Sequence, residues 1–168
     1  MGLIISLLIS MAFSAFFSGM EIAFVSSNKL RFEMEKGNDV STRILSIFYH
    51  NPNNFISTML VGNNIALVVY GIWMAQLNEQ YFLVGIPING AALLVLETII
   101  STAIILVTGE FLPKTVFKIN PNSTLRIFAV PAFICYVILY PISRLASSLS
   151  GCILYLTGTK INTDATAK

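Results

Sequence analysis

The chain has 168 residues, of which 55% are hydrophobic and 11% charged, and its formal net charge is +2. A soluble domain carries about 25% charged residues, so this composition reads as an integral membrane domain whose solvent is mostly lipid. So small a charge, with no Lys/Arg cluster, argues against a nucleic-acid partner and against a polybasic lipid-binding patch.

The first apolar run extends from about Gly2 to Ser26. It lacks the basic start of a signal peptide, since the first Lys or Arg is Lys29, and it is longer than a signal-peptide core. It is predicted to be an uncleaved membrane helix. Met1-Gly2 with Ser6 matches the loose myristoylation pattern, which reads as coincidence in a chain that already spans the membrane. A charged stretch follows from Asn28 to about Asn53, with Lys29, Arg31, Glu33, Glu35, Lys36, Asp39 and Arg43. Its apolar residues suggest short surface helices, broken at Gly37-Asn38. A second span is predicted over about 54–77, a short loop over 78–89, and a third span over about 90–112.

The first loop holds four basic residues and the second none, while Lys114, Lys118 and Arg126 follow the third span. The positive-inside rule then puts the charged loop and the C-terminus in the cytoplasm, with the N-terminus outside. The last apolar run, about 124–156, is long enough for a fourth span, but it carries Arg126, Arg144, Pro131 and Pro141. It is read as helices lying in the cytoplasmic interface or re-entering partway. The polar tail 158–168 is expected to be disordered, and the chain to be a piece of a longer protein. The expected fold class is therefore all-α integral membrane, with three transmembrane helices plus a cytoplasmic-side belt of juxtamembrane amphipathic helices.

The chemistry gathers where acids and amides interrupt the spans. A carboxylate inside a membrane helix costs about 2.5–3.5 kcal/mol on insertion scales, so Glu110 suggests an ion or proton role. Pro113 has no N–H and cannot bond the carbonyl four residues back, which belongs to Gly109. A free carbonyl oxygen then lies beside a carboxylate, a pair of hard oxygens suited to Mg²⁺ or Na⁺. In the first span, Ser6, Ser10, Ser14 and Ser18 form one stripe, with Ala15, Gly19 and Ala23 beside it. Such small-residue stripes allow close helix approach, and packing accounts for Ser6, Ser10, Ser14 and the alanines. Glu21, three residues beyond Ser18, reads either as part of an ion pathway or as an interfacial acid paired with a base.

In the second span, Asn63 and Asn64 diverge by about 100° on a helix. Asn64 shares a face with Ser57, so periodicity favours Asn64 as the inward ligand and leaves Asn63 to bond backbone or a neighbouring helix. An interhelical hydrogen bond explains one buried Asn well, but an Asn pair together with Glu110 less well. Glu97, about a third of the way into the third span, either lines an outer vestibule or reaches the interface. Cys135 and Cys152 have no metal-binding or disulfide spacing and read as inert thiols. The single histidine, His50, excludes an intramembrane zinc protease, and no serine-hydrolase or Walker pattern occurs, so no enzyme is indicated.

Taken together, Phe17-Ser18-Gly19-Met20-Glu21-Ile22-Ala23, Leu60-Val61-Gly62-Asn63-Asn64 and Gly109-Glu110-Phe111-Leu112-Pro113-Lys114 resemble the three signatures of the CNNM/CorC transmembrane domain. The Asn51-Pro52 and Tyr140-Pro141 steps fit as well, and the match covers about residues 3–157. Met20 is a minor departure. The resemblance implies a magnesium transporter domain of the bacterial or archaeal plasma membrane. It implies Na⁺-linked Mg²⁺ efflux by a homodimer, with three spans and a belt of juxtamembrane helices per subunit. It implies that relatives continue into cystathionine-β-synthase-type domains that bind ATP, so nucleotide regulation would lie in cytoplasmic domains outside this sequence. The ion-site residues it implies are Ser18, Gly19, Glu21, Asn63, Asn64, Gly109 and Glu110. Two alternatives remain open: a non-transporting anchor and dimerisation module of a Mg²⁺ sensor, and a carrier of another divalent cation. The all-oxygen ligand set argues against softer metals.

Overall fold

The computed structural model describes residues 2–81 and 90–156. These residues form α1 (Gly2–Ser26), α2 (Lys29–Met34), α3 (Val40–His50), α4 (Pro52–Tyr81), α5 (Gly90–Ile105), a π-helical segment (Leu106–Phe111), α6 (Leu112–Ile119) and α7 (Pro121–Leu156). Among the described residues there is no strand.

The local sequence explains the starts and breaks. The Asn28 side chain accepts from the Arg31 N–H at 3.2 Å and caps α2. The expected break at Gly37-Asn38 separates α2 from α3. Pro52 and Pro121 open α4 and α7, where a missing N–H costs nothing because it would have no helical partner. Four stretches are long and apolar enough to cross a membrane: Gly2–Ser26, Pro52–Asn78, Gly90–Ile119 and Pro121–Leu145. At about 1.5 Å per residue, each exceeds the ~30 Å hydrocarbon core. The chain is an all-α membrane protein.

Three sequence expectations are corrected. The third apolar helix does not end at Leu112 but continues through the π segment and α6 to Ile119. Pro131 and Pro141 do not interrupt the last run, because α7 is helical through both. Each proline removes one backbone bond. A helix that continues on both sides of the proline keeps its other backbone groups paired. Residues 78–81 of the expected loop are helical, since α4 reaches Tyr81. Residues 82–89 and the tail expected over 158–168 lie outside the described residues.

The packed centre is α1, which lies against α4, α6, α7 and the π segment. Two glycines set the distances. A Cβ on Gly62 would come within 2.6 Å of the Phe17 ring, and one on Gly19 within 2.8 Å of the Phe117 ring. Their missing side chains let α4 and α6 close onto α1, as small-residue stripes do in membranes. At the end of α1 nearest the charged loop, an aromatic core joins Phe24, Phe32, Phe48, Tyr49, Phe55 and Tyr136. This core fixes α3 and α7 beside the start of α4. The start of α7 is also held to the charged loop, where the Asn28 N–H donates to Asn122 and Arg126 pairs with Asp39 at 3.5 Å.

Candidate ion-binding site

Where α1, α4 and the π segment meet, five side chains and one carbonyl form a polar centre in otherwise apolar packing. The π segment is central to it. The Leu112 N–H bonds to the Val107 carbonyl, five residues back, which widens the turn carrying Gly109 and Glu110. Single π turns inside α-helices are rare and frequent at functional sites. Pro113 follows immediately and donates nothing to the Gly109 carbonyl. The Ser18 hydroxyl donates to that carbonyl instead, at 2.8 Å, with both groups buried. Gly109 is tightly enclosed: a Cβ there would lie 2.8 Å from the Ile105 side chain and 3.1 Å from the Ser14 hydroxyl.

The amide comes from α4. Asn63 is 4% exposed, and its Oδ1 accepts from the Ser14 hydroxyl at 2.8 Å. Its Nδ2 donates to Glu110 Oε1 at 3.4 Å. The other Glu110 oxygen faces the Lys114 ammonium at 3.9 Å, and both side chains are partly exposed. Ser18 and Ser14 are both fully buried. The centre thus offers two hydroxyls, an amide, the Gly109 carbonyl and one carboxylate, all hard oxygen donors of the type taken by Mg²⁺ and Na⁺. Among the described residues no group of three or more His, Cys, Asp or Glu side chains gathers for a metal, so any ion here would rely mostly on neutral oxygens.

The predicted residues divide clearly. Ser18, Asn63, Gly109 and Glu110 are brought together. The preference for Asn64 as the inward ligand is corrected, because Asn64 is exposed while Asn63 points into the packing. The row Met59, Asn63, Ala66 and Tyr70 is the buried face of α4, so bulky and small apolar residues mark its inside along with the amide. Gly19 acts through its missing Cβ, bringing α1 onto Phe117. Glu21 is half-buried and, among the described residues, makes no hydrogen bond or ion pair to the cluster.

Two participants were missed. Packing alone does not account for Ser14, whose hydroxyl donates to Asn63. Its neighbour in the stripe, Ser10, bonds the Leu7 carbonyl of its own helix, as a packing serine does. The available signal for Ser14 was its position one turn before Ser18. Lys114 was placed with the loop charges, although its spacing of four from Glu110 is an ion-pair spacing.

These features define an all-α integral membrane protein with an oxygen-lined polar centre built into its helix packing. The sequence matches the family described as Cyclin M transmembrane N-terminal domain, CNNM, over residues 3–168, and the chain belongs to that family. It is 30% identical over 151 residues to the UPF0053 protein MG146 homolog of Mycoplasma pneumoniae, covering 86% of this chain and 34% of that protein. It is 28% identical over 149 residues to the UPF0053 inner membrane protein YfjD of Escherichia coli, covering 88% of this chain and 33% of that protein. A UPF0053 protein of Haemophilus influenzae is 26% identical over 162 residues, covering 95% of this chain and 37% of that protein. The chain therefore spans about a third of the length of the curated relatives it matches.

Proposed function

We propose that the chain is the ion-translocating part of a Mg²⁺ carrier that exports Mg²⁺ in exchange for Na⁺ by alternating access. The observation that carries this reading is the joining of Ser18, Asn63, the Gly109 carbonyl and Glu110 across three helical segments. In membrane segments, ionisable side chains that face inward mark ion pathways. Glu110 supplies the one charged ligand, and Asn63, the serines and the Gly109 carbonyl supply neutral ones. A dication on one carboxylate keeps net positive charge, which favours release over storage. Mg²⁺ prefers octahedral oxygen contacts near 2.1 Å and gives up water reluctantly, so it would keep several waters here. The π turn and Pro113 form the deformable point of the third apolar helix, where a change in helix register would open one side or the other. Lys114, four residues on, pairs with Glu110 in the state described and would swing away when a cation arrives.

Within this reading, α1, α4 and the α5–α6 helix span the membrane and α7 belongs to the cytoplasmic belt. The tie of α7 to the charged loop, through Asn122 and Arg126, supports that placement. The positive-inside rule places the N-terminus outside. The apolar side chains of α4 and α5 that remain exposed, such as Val68, Ile72, Val95 and Ile99, suit lipid or a second copy in a homodimer. The membrane would be the bacterial or archaeal plasma membrane, consistent with the inner-membrane relative in Escherichia coli. Nucleotide-binding regulatory domains would lie in the remainder of a full-length protein.

The test is Mg²⁺ flux by the full-length protein in proteoliposomes, with and without an opposing Na⁺ gradient, beside Glu110→Ala. Gradient-dependent flux lost in the mutant supports the carrier. Unchanged flux in Glu110→Ala refutes the site, and an absence of flux with intact Mg²⁺ binding favours a sensor or anchor.

A further inference from the structure

A second polar position lies on the same inner stripe, further out. Along α5 and the π segment, Leu93, Ile105 and Gly109 are buried, and Glu97 and Ser101 fall between them at intervals of four residues. Glu97 therefore shares the inward face with the Gly109 centre, roughly 18 Å of helix away. Its Oε1 atom is fully buried and is the one buried side-chain oxygen without a hydrogen-bond partner among the described residues. An unsatisfied buried polar atom calls for an explanation such as a water or an ion.

The helix opposite carries polar groups about one turn to either side of Glu97. The Tyr70 hydroxyl donates to the Ser101 carbonyl at 3.1 Å and fixes the register of α4 against α5. Glu97 lies one turn, about 6 Å, outward from that bond. On α4, Asn78 lies on the same row as Tyr70, about 12 Å further out, and is 7% exposed. Glu97 is thus bracketed in depth by a phenol and a buried amide. The row between them on α4 holds Met74 and no charged group, and no basic side chain is described within this part of α5.

We propose that Glu97, with Tyr70 and Asn78, forms an outer station for a partly hydrated monovalent cation, with Na⁺ as the natural occupant. Among the described side chains of these two rows Glu97 is the one charge, and one carboxylate is neutralised by one positive charge. A dication would leave a net charge in apolar surroundings, and the few protein oxygens require the ion to keep water. This inference rests on the carrier reading only for its purpose, because binding is measured without transport.

The experiment is equilibrium binding of radiolabelled Na⁺ to the purified full-length protein, compared with Mg²⁺ binding on the same samples. Glu97→Gln is expected to weaken Na⁺ binding at least tenfold while leaving Mg²⁺ binding unchanged. Glu110→Gln is expected to do the reverse. Tyr70→Phe and Asn78→Leu, which retain the acid, are expected to weaken Na⁺ binding several-fold and decide the matter if Glu97→Gln does not fold. Saturable Na⁺ binding that is absent from the wild type, or unchanged in the folded variants, overturns the station. Failure of Glu110→Gln to affect Mg²⁺ instead refutes the central site and leaves the outer station standing.

Discussion

Replacing each of the two adjacent asparagines by alanine separates the site from its surroundings. Asn63 makes two side-chain bonds, one from Ser14 at 2.8 Å and one to Glu110 at 3.4 Å. Hydrogen bonds between membrane helices are worth about 0.6–1.7 kcal/mol each, so losing both costs roughly 1–3 kcal/mol. The same interactions hold the amide oxygen where an ion would use it. At about 1.4 kcal/mol per factor of ten, Asn63→Ala should weaken Mg²⁺ binding roughly 10- to 100-fold. Asn64 is exposed and, among the described residues, makes no side-chain hydrogen bond, so Asn64→Ala should stay within about twofold, as an exposed substitution does. Titration calorimetry with Mg²⁺ on the purified full-length protein reads both. Equal effects, or a larger loss in Asn64→Ala, would refute the assignment of α4's inner face.

Lys114→Met removes the ammonium that competes for Glu110. Partly exposed ion pairs are worth about 0–1 kcal/mol, so Mg²⁺ affinity should rise by up to about fivefold, and a fall in affinity would show that Lys114 helps hold the site. Gly19→Ala drives a methyl into the Phe117 ring, where overpacking costs about 1–3 kcal/mol. Phe117→Leu should restore much of the lost thermal stability, and additive losses in the double mutant would contradict that contact. Asp39 accepts from the Thr42 hydroxyl and faces Arg126, and these partners hold its carboxyl below the usual value of 3.8. Its contribution to stability is present above that value and is lost as pH falls through the lowered folded value. A melting curve of Asp39→Asn should therefore show less acid sensitivity below about pH 4 than the wild type.

Much of the architecture was legible because hydropathy alone marks helices that must sit in lipid. The first three long apolar helices begin at Gly2, Pro52 and Gly90, against expected starts of about 2, 54 and 90, and the Gly37-Asn38 turn falls between α2 and α3. The Gly109–Pro113 step was legible because proline chemistry is local, and the carbonyl it frees is the one that Ser18 meets. The inner face of α4 was not. A helix surrounded by lipid and apolar neighbours has no polar outer face to set its phase, so two adjacent amides left a choice that Met59 and Tyr70 settle by packing. Ser14 was missed because a stripe of serines has the same pattern whether each hydroxyl bonds its own helix, as Ser10 does, or a neighbour. The π turn has no signature of its own in the sequence Leu106–Phe111. The continuity of α7 through Pro131 and Pro141 was not legible, because an interior proline can bend a helix without ending it.

The central claim is that a cation sits among Glu110, Asn63 and the Gly109 carbonyl. The most direct test is a crystal of the full-length protein grown with Mn²⁺ as an anomalous stand-in for Mg²⁺. The account predicts an anomalous peak within direct coordination distance of a Glu110 carboxylate oxygen and close to Asn63 Oδ1 and the Gly109 oxygen. A fully occupied peak elsewhere, with this centre unchanged and Lys114 still on Glu110, would contradict it.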